Sequence, residues 1–418
     1  MADKSETKSL NVFLHADLIG RLSSRQGILN FEYDESYLKK ESAVKLSAAF
    51  PLQAGTFDHL ATSAFFSGLL PDDSVRRRLA RYLGISEKNT FALLKEIGGE
   101  CAGAVSVYQE GHAPDTEQEY RYKVLEDKEA HEILSAINKR PMMVGEEDIR
   151  ISGAGAQDKL IVALVEGKLA IPMGNTPSTH IIKPAIKDLD NSVFNEFFCL
   201  RLAKAMKLDA PEVSVYWLEN EPYYLIERYD RRKTQDGKII RLHQEDFCQA
   251  LNIPPEQKYE NEGGPSLQQC FGLLDARIKR GNMAGVNKLT FLRATIFNFI
   301  IGNGDAHGKN FSLLYDGNAE ELAPLYDLMN TVVYFDSFKV KMAMKIGGKY
   351  KFRDVYPRHF EVLAETVGLK PSFVHSELKK MSETIIPTAR ELQSKLNSDP
   401  LTSSPIYEDI ITTMNILY

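Results

Sequence analysis

Cysteine is scarce in this chain. Only Cys101, Cys199, Cys248 and Cys270 occur in 418 residues, and the nearest two are 22 positions apart. No C-x-x-C pair or thiol zinc knuckle can form from that spacing. Sparse cysteines suit a reducing compartment, so a cytoplasmic protein is expected. The nine histidines are dispersed, none three or four positions from another, which argues against a protein-built zinc site. No apolar run approaches ~18 residues, so neither a membrane span nor a membrane partner is expected. The opening MADKSETKSLNV lacks the apolar core of a secretory signal. Three motifs are missing as well: the Walker loop G-x-x-x-x-G-K-[ST], the G-x-S-x-G elbow and H-E-x-x-H. Nor is there an excess of basic charge: 51 basic and 57 acidic residues leave a net charge of −6. That excludes a uniformly basic nucleic-acid binder and leaves room for a local basic patch.

The remaining composition is that of a globular protein, 43% hydrophobic and 26% charged. At about 150 residues per domain the length suggests two or three domains, and the core needs no disulfide or metal to hold it. Residues 9–33 read as short alternating strands, with Gly20 and Gly27 at expected turns. The stretch 57–111 reads helical. Within it Asp72 and Asp73 precede SVRRRLARYLG, and Gly84 is a fitting stop. Residues 108–120 read as an exposed loop.

From about residue 150 the texture changes. KLIVALVEGKLAIPM reads as a hairpin turning at Glu166-Gly167, STHIIKPA as a strand stopped by Pro184, and 192–208 as a helix with an apolar face. SVYWLENEPYYLIERYD reads as two more strands around Glu219–Pro222. After residue 240 the chain reads helical. The fold expected is α+β: a two-lobed, protein-kinase-like arrangement with a β-rich small lobe and an all-α large lobe. The expected divisions are an N-terminal α+β subdomain over 1–140, the small lobe over 145–228 and the large lobe over 229–418.

Residues 298–330 carry the chemistry. Asp305 and Asn310 form D-x-x-x-x-N, the spacing at which a kinase Asp takes the proton of the attacking hydroxyl and the Asn holds magnesium. Asp327 follows 17 residues after Asn310, where a second magnesium carboxylate belongs. Hard oxygen ligands suffice there, since phosphates and waters complete the octahedron. Lys183 ends the apolar strand HIIK, 122 residues before Asp305, and is the candidate phosphate lysine. Glu196 on the following helix is its candidate partner. In RISGAGAQDKL, Gly153 and Gly155 permit close backbone approach to phosphates. YYLIERYDRR suits an inter-lobe hinge, where the backbone of Glu227 and Tyr229 could pair with adenine. Residues 339–358 hold Lys339, Lys341, Lys345, Lys349, Lys351, Arg353 and Arg358 against Asp354 alone, a local charge of +6. Such a run is a solvated face, a site for an acidic protein or a contact to DNA backbone.

In order along the chain, FFSGLLPDDSVRRRLA, RISGAGAQDK, STHIIK, FNEFFCLRLA, LIERYDR, KYENEGGP, IIGNGDAHGKNFSLL, LAPLYDL and VYPRHF together resemble the HipA family of bacterial toxin–antitoxin serine/threonine kinases. The resemblance spans nearly the whole chain. It implies an ATP- and Mg2+-dependent phosphotransferase with Asp305 as catalytic base and Asn310 and Asp327 as metal ligands. Lys183 would contact the ATP phosphates with His307 close by, and Glu227 and Tyr229 would hold adenine. The loop Gly153, Ala154, Gly155, Ala156, Gln157 and Asp158 would cover the phosphates, and Ser152 matches the family's autophosphorylated serine. The implied partners are a small HipB-like helix-turn-helix antitoxin, operator DNA reached through that complex, and a protein substrate, glutamyl-tRNA synthetase in the best-known case. Lys349, Lys351 and Arg353 would then face DNA. Two departures from the protein-kinase pattern stand out. His307 replaces the catalytic-loop lysine, and Asp327-Leu-Met replaces D-F-G. The D-x-H-x-x-N form also resembles lipid kinases and antibiotic phosphotransferases. A small-molecule or lipid kinase of this fold, or a catalytically dead co-repressor, are the alternatives.

Overall fold

The computed structural model describes residues 7–115, 119–145, 149–335 and 340–417. Three buried apolar clusters organise it. The first unit is a five-stranded antiparallel sheet ordered Thr56–Phe57, Ile28–Tyr33, Asp17–Arg25, Lys8–Leu14 and Val105–Gln109. The helices His59–Gly68, Asp73–Leu83 and Thr90–Ile97 accompany it. Residues 57–111 are therefore helical only up to Ile97, and Val105–Gln109 closes the sheet against the first strand. Gly27 takes φ +85° in its turn, as expected. Gly20 does not turn. It lies inside a strand, where a Cβ would come within 2.2 Å of the Glu32 carbonyl oxygen.

The small lobe is a six-stranded antiparallel sheet ordered Val213–Leu218, Glu221–Glu227, His180–Lys183, Leu160–Val165, Lys168–Pro172 and Tyr122–Val124. Its hairpin turns at Glu166 and Gly167, with φ of 51° and 83°, the left-handed pair that matches strand twist. The edge strand Tyr122–Val124 pairs with Lys168–Pro172, and helix Asp127–Ser135 packs into the same core through Ala130 and Leu134. The division at 140–145 expected from sequence splits that core. Pairing places the boundary between Gln109 and Tyr122.

Helix Ser192–Ala205 joins the lobes. It is buried nearly all round, including Phe194, Phe197, Phe198 and Leu200, because it belongs to the large-lobe core while packing on the small-lobe strands. The large lobe is built on helices Leu267–Lys279, Val286–Ile300, Pro357–Thr366, Pro371–Asn397 and Ile406–Leu417. It also holds a three-stranded sheet, His243–Asp246, Ser312–Asp316 and Ala319–Leu322, and the hairpin Lys341–Ile346/Lys349–Lys351. The last two helices return to pack on Ser192–Ala205. There Tyr407 stacks on Phe198 at 4.7 Å, and Trp217 Nε1 donates to the Leu401 carbonyl at 2.9 Å.

The first unit docks on the large lobe through polar groups. Glu245 accepts from Ser47 Oγ at 2.5 Å, Ala48 N–H at 2.7 Å and the Tyr315 hydroxyl. Lys45 pairs with buried Glu320, and Gln249 Nε2 donates to the Phe65 carbonyl at 2.9 Å. No helix among the described residues is long and apolar enough to cross a membrane.

Candidate active site

Strand His180–Lys183 ends where Pro184 denies the sheet a further N–H, leaving Lys183 buried in the wall of the inter-lobe cleft. Its ammonium donates to Glu196 Oε1 at 2.7 Å and Asp327 Oδ1 at 2.6 Å. Burial alone would lower the Lys183 pKa; Asp327 and Glu196 together outweigh it and hold the lysine protonated. Burial works to raise the Asp327 carboxyl, but Lys183 and Lys159 bring it down to about 2. Glu196 moves the other way, pushed up by burial and by the Asp327 charge against the pull of Lys183. Asp327 itself sits at φ +51°, a left-handed conformation that costs a non-glycine residue about 1–3 kcal/mol and clusters at working sites.

The catalytic-loop candidates come from the end of helix Val286–Ile300. Asn303 Oδ1 accepts the Asp305 N–H at 3.1 Å, while Gly304 N–H donates to Thr331 Oγ1 at 2.8 Å. A Cβ on Gly304 would meet Thr331 Oγ1 at 2.9 Å and the Lys341 carbonyl oxygen at 3.0 Å, so only glycine passes there. Asp305 keeps an open side chain, and Oδ1 accepts the Tyr259 hydroxyl at 2.5 Å. Asn310 Nδ2 donates to the Asp305 carbonyl at 2.9 Å, which aims Asn310 Oδ1 away from that bond. His307 is buried, with Nε2 4.0 Å from Asp305 Oδ2 and no hydrogen-bond partner on Nδ1 among the described residues. Burial, with Lys258 and Lys309, lowers its pKa against the pull of Asp305.

These groups share one cleft of about 1050 Å³ with Ser152, Gly153, Ala154, Gly155, Ala156, Gln157, Asp158, Glu227 and Tyr229. Within it the glycine segment leans on the first unit. Ser152 is 2% exposed, and its Oγ donates to the Leu69 carbonyl at 2.6 Å. Asp158 pairs with Arg78, so its carboxylate is turned to the first unit. Gln157 Nε2 reaches Glu196 Oε2 at 3.5 Å. Gly155 has φ +103°, and a Cβ there would lie 2.6 Å from Lys159 Nζ. At the hinge the Glu227 N–H donates to the Glu212 carbonyl at 2.9 Å. Tyr229 stacks on Tyr326 at 5.6 Å.

Lys349, Lys351 and Arg353 lie away from the cleft, on the hairpin and the turn after it. Lys341, Lys345 and Lys349 are exposed, but Lys345 is engaged by Glu260 at 3.0 Å. Lys339 lies outside the described residues. Sequence reasoning passed over Lys159, Tyr259 and Lys309. Lys159 is buried, donates to the Ala154 carbonyl at 2.5 Å and is lowered by desolvation to about 8. All three sit inside the family-like motifs, but nothing in their spacing tells where their side chains go.

The Asp327 carboxylate and the Asn310 amide oxygen are hard donors facing one space, which fits a divalent ion. Among the described residues no group of three or more His, Cys, Asp or Glu could hold a metal alone. Phosphate oxygens and water would have to complete the shell. A β-rich lobe and a helical lobe enclosing a Lys–Glu–Asp triad and a D-x-x-x-x-N loop define a protein-kinase-like phosphotransferase.

Comparison with known proteins agrees. The HipA-like C-terminal domain matches residues 151–389, and the HipA N-terminal domain matches 10–108. The chain belongs to the HipA family. It is 39% identical to "Putative kinase Y4mE" of Sinorhizobium fredii over 90% of this chain and 89% of that one. It is 30% identical to the serine/threonine-protein kinase toxin HipA of Shewanella oneidensis over 91% and 89%. The solved complex of Shewanella oneidensis HipA, HipB and operator DNA contains a chain matching with TM-score 0.82 and 26% identity, covering 98% of this chain and 95% of that one. The chain is thus a kinase, an enzyme using ATP and a divalent metal ion.

Proposed function

We propose that this kinase transfers the γ-phosphoryl group of ATP to a serine or threonine of a protein and is the toxin of a bacterial toxin–antitoxin module. The observation that carries the catalytic reading is Lys183 held between Glu196 and Asp327 in the cleft that also holds Asp305. Asp305 Oδ1 or Oδ2 accepts the proton of the attacking hydroxyl. Lys183 positions phosphate oxygens, and Asn310 and Asp327 hold the metal, which we assign as Mg2+. A bound cation neutralises charge on the transferring phosphoryl group. His307 lines the same cleft, with its Nδ1 buried and unpaired among the described residues. Residues 153–158 close over the phosphates, while Glu227 and Tyr229 present backbone to the adenine.

The biological reading rests on the relatives. A HipB-like antitoxin holds the kinase at operator DNA, where it co-represses; Lys349, Lys351 and Arg353 lie toward the DNA backbone. Glutamyl-tRNA synthetase is the proposed substrate and Ser152 the proposed autophosphorylation site. Four unpaired, buried cysteines suit a cytoplasmic location. Labelled-ATP transfer to purified synthetase tests the reading. Transfer should require Mg2+, stop on chelation and fall by about 10²–10⁴-fold in Asp305→Asn. Phosphorylation of a small molecule or lipid in place of any protein would overturn the substrate assignment.

A further inference from the structure

The two acidic residues Asp72 and Asp73 open helix Asp73–Leu83 of the first unit, yet Asp72 makes no side-chain cap to that helix. Its carboxylate goes to the large lobe. Asp72 Oδ1 accepts from Lys309 Nζ at 2.9 Å, with both residues 7% exposed. The Asp72 N–H donates to the Gly155 carbonyl at 3.0 Å, and Pro71 forms a parallel bridge with the same glycine. Asp73, at φ +47°, pairs with Lys258 Nζ at 3.0 Å.

Each of these ion pairs lands one residue from the transfer machinery. Lys258 precedes Tyr259, whose hydroxyl holds Asp305. Lys309 precedes Asn310, and its carbonyl accepts the Tyr326 hydroxyl at 2.8 Å, next to Asp327. A helix that gives up a cap is less stable for it, and a left-handed Asp73 adds strain. Both costs persist where the surroundings enforce them.

We propose that Asp72 is a positioning residue for phosphoryl transfer. Through Lys309 it fixes the backbone that carries Asn310 and Asp327, and through its own N–H it ties the glycine segment to that backbone. The first unit is then part of the catalytic apparatus and not an appendage. This role rests on the phosphotransfer reading of the cleft.

The test compares full-length Asp72→Asn, Lys309→Met and the double variant with the unmutated kinase and with Asp305→Asn. Asn keeps the N–H to Gly155 and removes the charge. The double variant removes both buried charges, which restores stability where a lone charge would cost it. Misplacement of a transfer site by an ångström is worth up to about a hundredfold in rate. The expected result is a kcat lowered about ten- to a hundredfold in Asp72→Asn and equally in the double variant. ATP affinity should stay within about threefold, and the double variant's thermal midpoint should return to that of the unmutated protein. Recovery of kcat together with stability in the double variant would reduce the pair to a structural one and overturn the proposal. So would an unchanged kcat in Asp72→Asn, or a loss of ATP binding in step with unfolding. If Asp305→Asn retains full transfer, the reading of the cleft itself fails, and the positioning role falls with it.

Discussion

The ammonium of Lys183 lies between two carboxylates, 2.7 Å from Glu196 and 2.6 Å from Asp327, and so ties the end of a small-lobe strand to the inter-lobe helix and to a large-lobe loop. Removing a buried cation leaves its partners uncompensated. Lys183→Met is expected to destabilise the protein by about 3–5 kcal/mol and to abolish transfer. Lys183→Met with Glu196→Gln should recover much of the stability and none of the activity. Urea unfolding beside a transfer assay checks both.

Asp305 is a different case, because its side chain is about half exposed and its carboxylate accepts a hydrogen bond from the Tyr259 hydroxyl. Asp305→Asn should unfold at the same temperature as the parent while transfer drops by about 10²–10⁴-fold. A matching drop in stability would point to a structural carboxylate.

Ser152 is enclosed, with its hydroxyl on the Leu69 carbonyl. A phosphate of about −1.5 to −2 charge cannot enter that slot. Modification therefore needs the glycine segment to leave the first unit, and the phosphoserine cannot return. ATP affinity should fall in phosphorylated protein and stay near the parental value in Ser152→Ala. Equal affinities for the two would remove this switch.

Burial pushes Glu245 up to about 7 despite its three donors. A carboxyl raised above its unfolded value of 4.5 binds more protons in the folded state between those limits. Its contribution to stability is greatest below about pH 4.5 and declines as pH rises to about 7. His243 and His180, lowered by burial to about 4, titrate in the opposite sense. The measurement is therefore a difference. The stability of Glu245→Gln minus that of the parent should grow with pH from 5 to 7, by at most about 1.4 kcal/mol per unit. A flat difference would show the group already ionised in the fold.

On DNA, the kinase–antitoxin complex should show a steeper fall of log affinity with log salt than antitoxin alone. Lys349→Ala with Lys351→Ala should flatten the slope by about 0.9 for each phosphate no longer neutralised and leave transfer intact. Coincident slopes for the parent complex and the antitoxin would return this hairpin to solvent.

Much of the cleft was legible because kinase chemistry fixes residue types at local spacings. Asp305 and Asn310 are held by one short loop, and Lys183 by the end of one strand. What could not be read were pairings that folding alone creates. Asp72 and Lys309 are 237 positions apart, and Tyr259 meets Asp305 across 46. Alternation likewise gives no sign that Gly20 is a close-approach glycine, since the crowding atom belongs to the next strand. The edge strand Tyr122–Val124 was missed because three residues are too few to show a period.

The last two helices give the molecule a mechanical property. A two-lobed enzyme opens like a book about its spine, here the crossing at Glu227–Asp230. This book is also clasped at the back, where Trp217 of the small-lobe sheet is hooked to the Leu401 carbonyl of the large lobe. A swing that parts those two residues must break that hydrogen bond. Trp217 is the sole tryptophan of the chain, and it sits on the clasp. Its emission should therefore change when that bond breaks and the covers part.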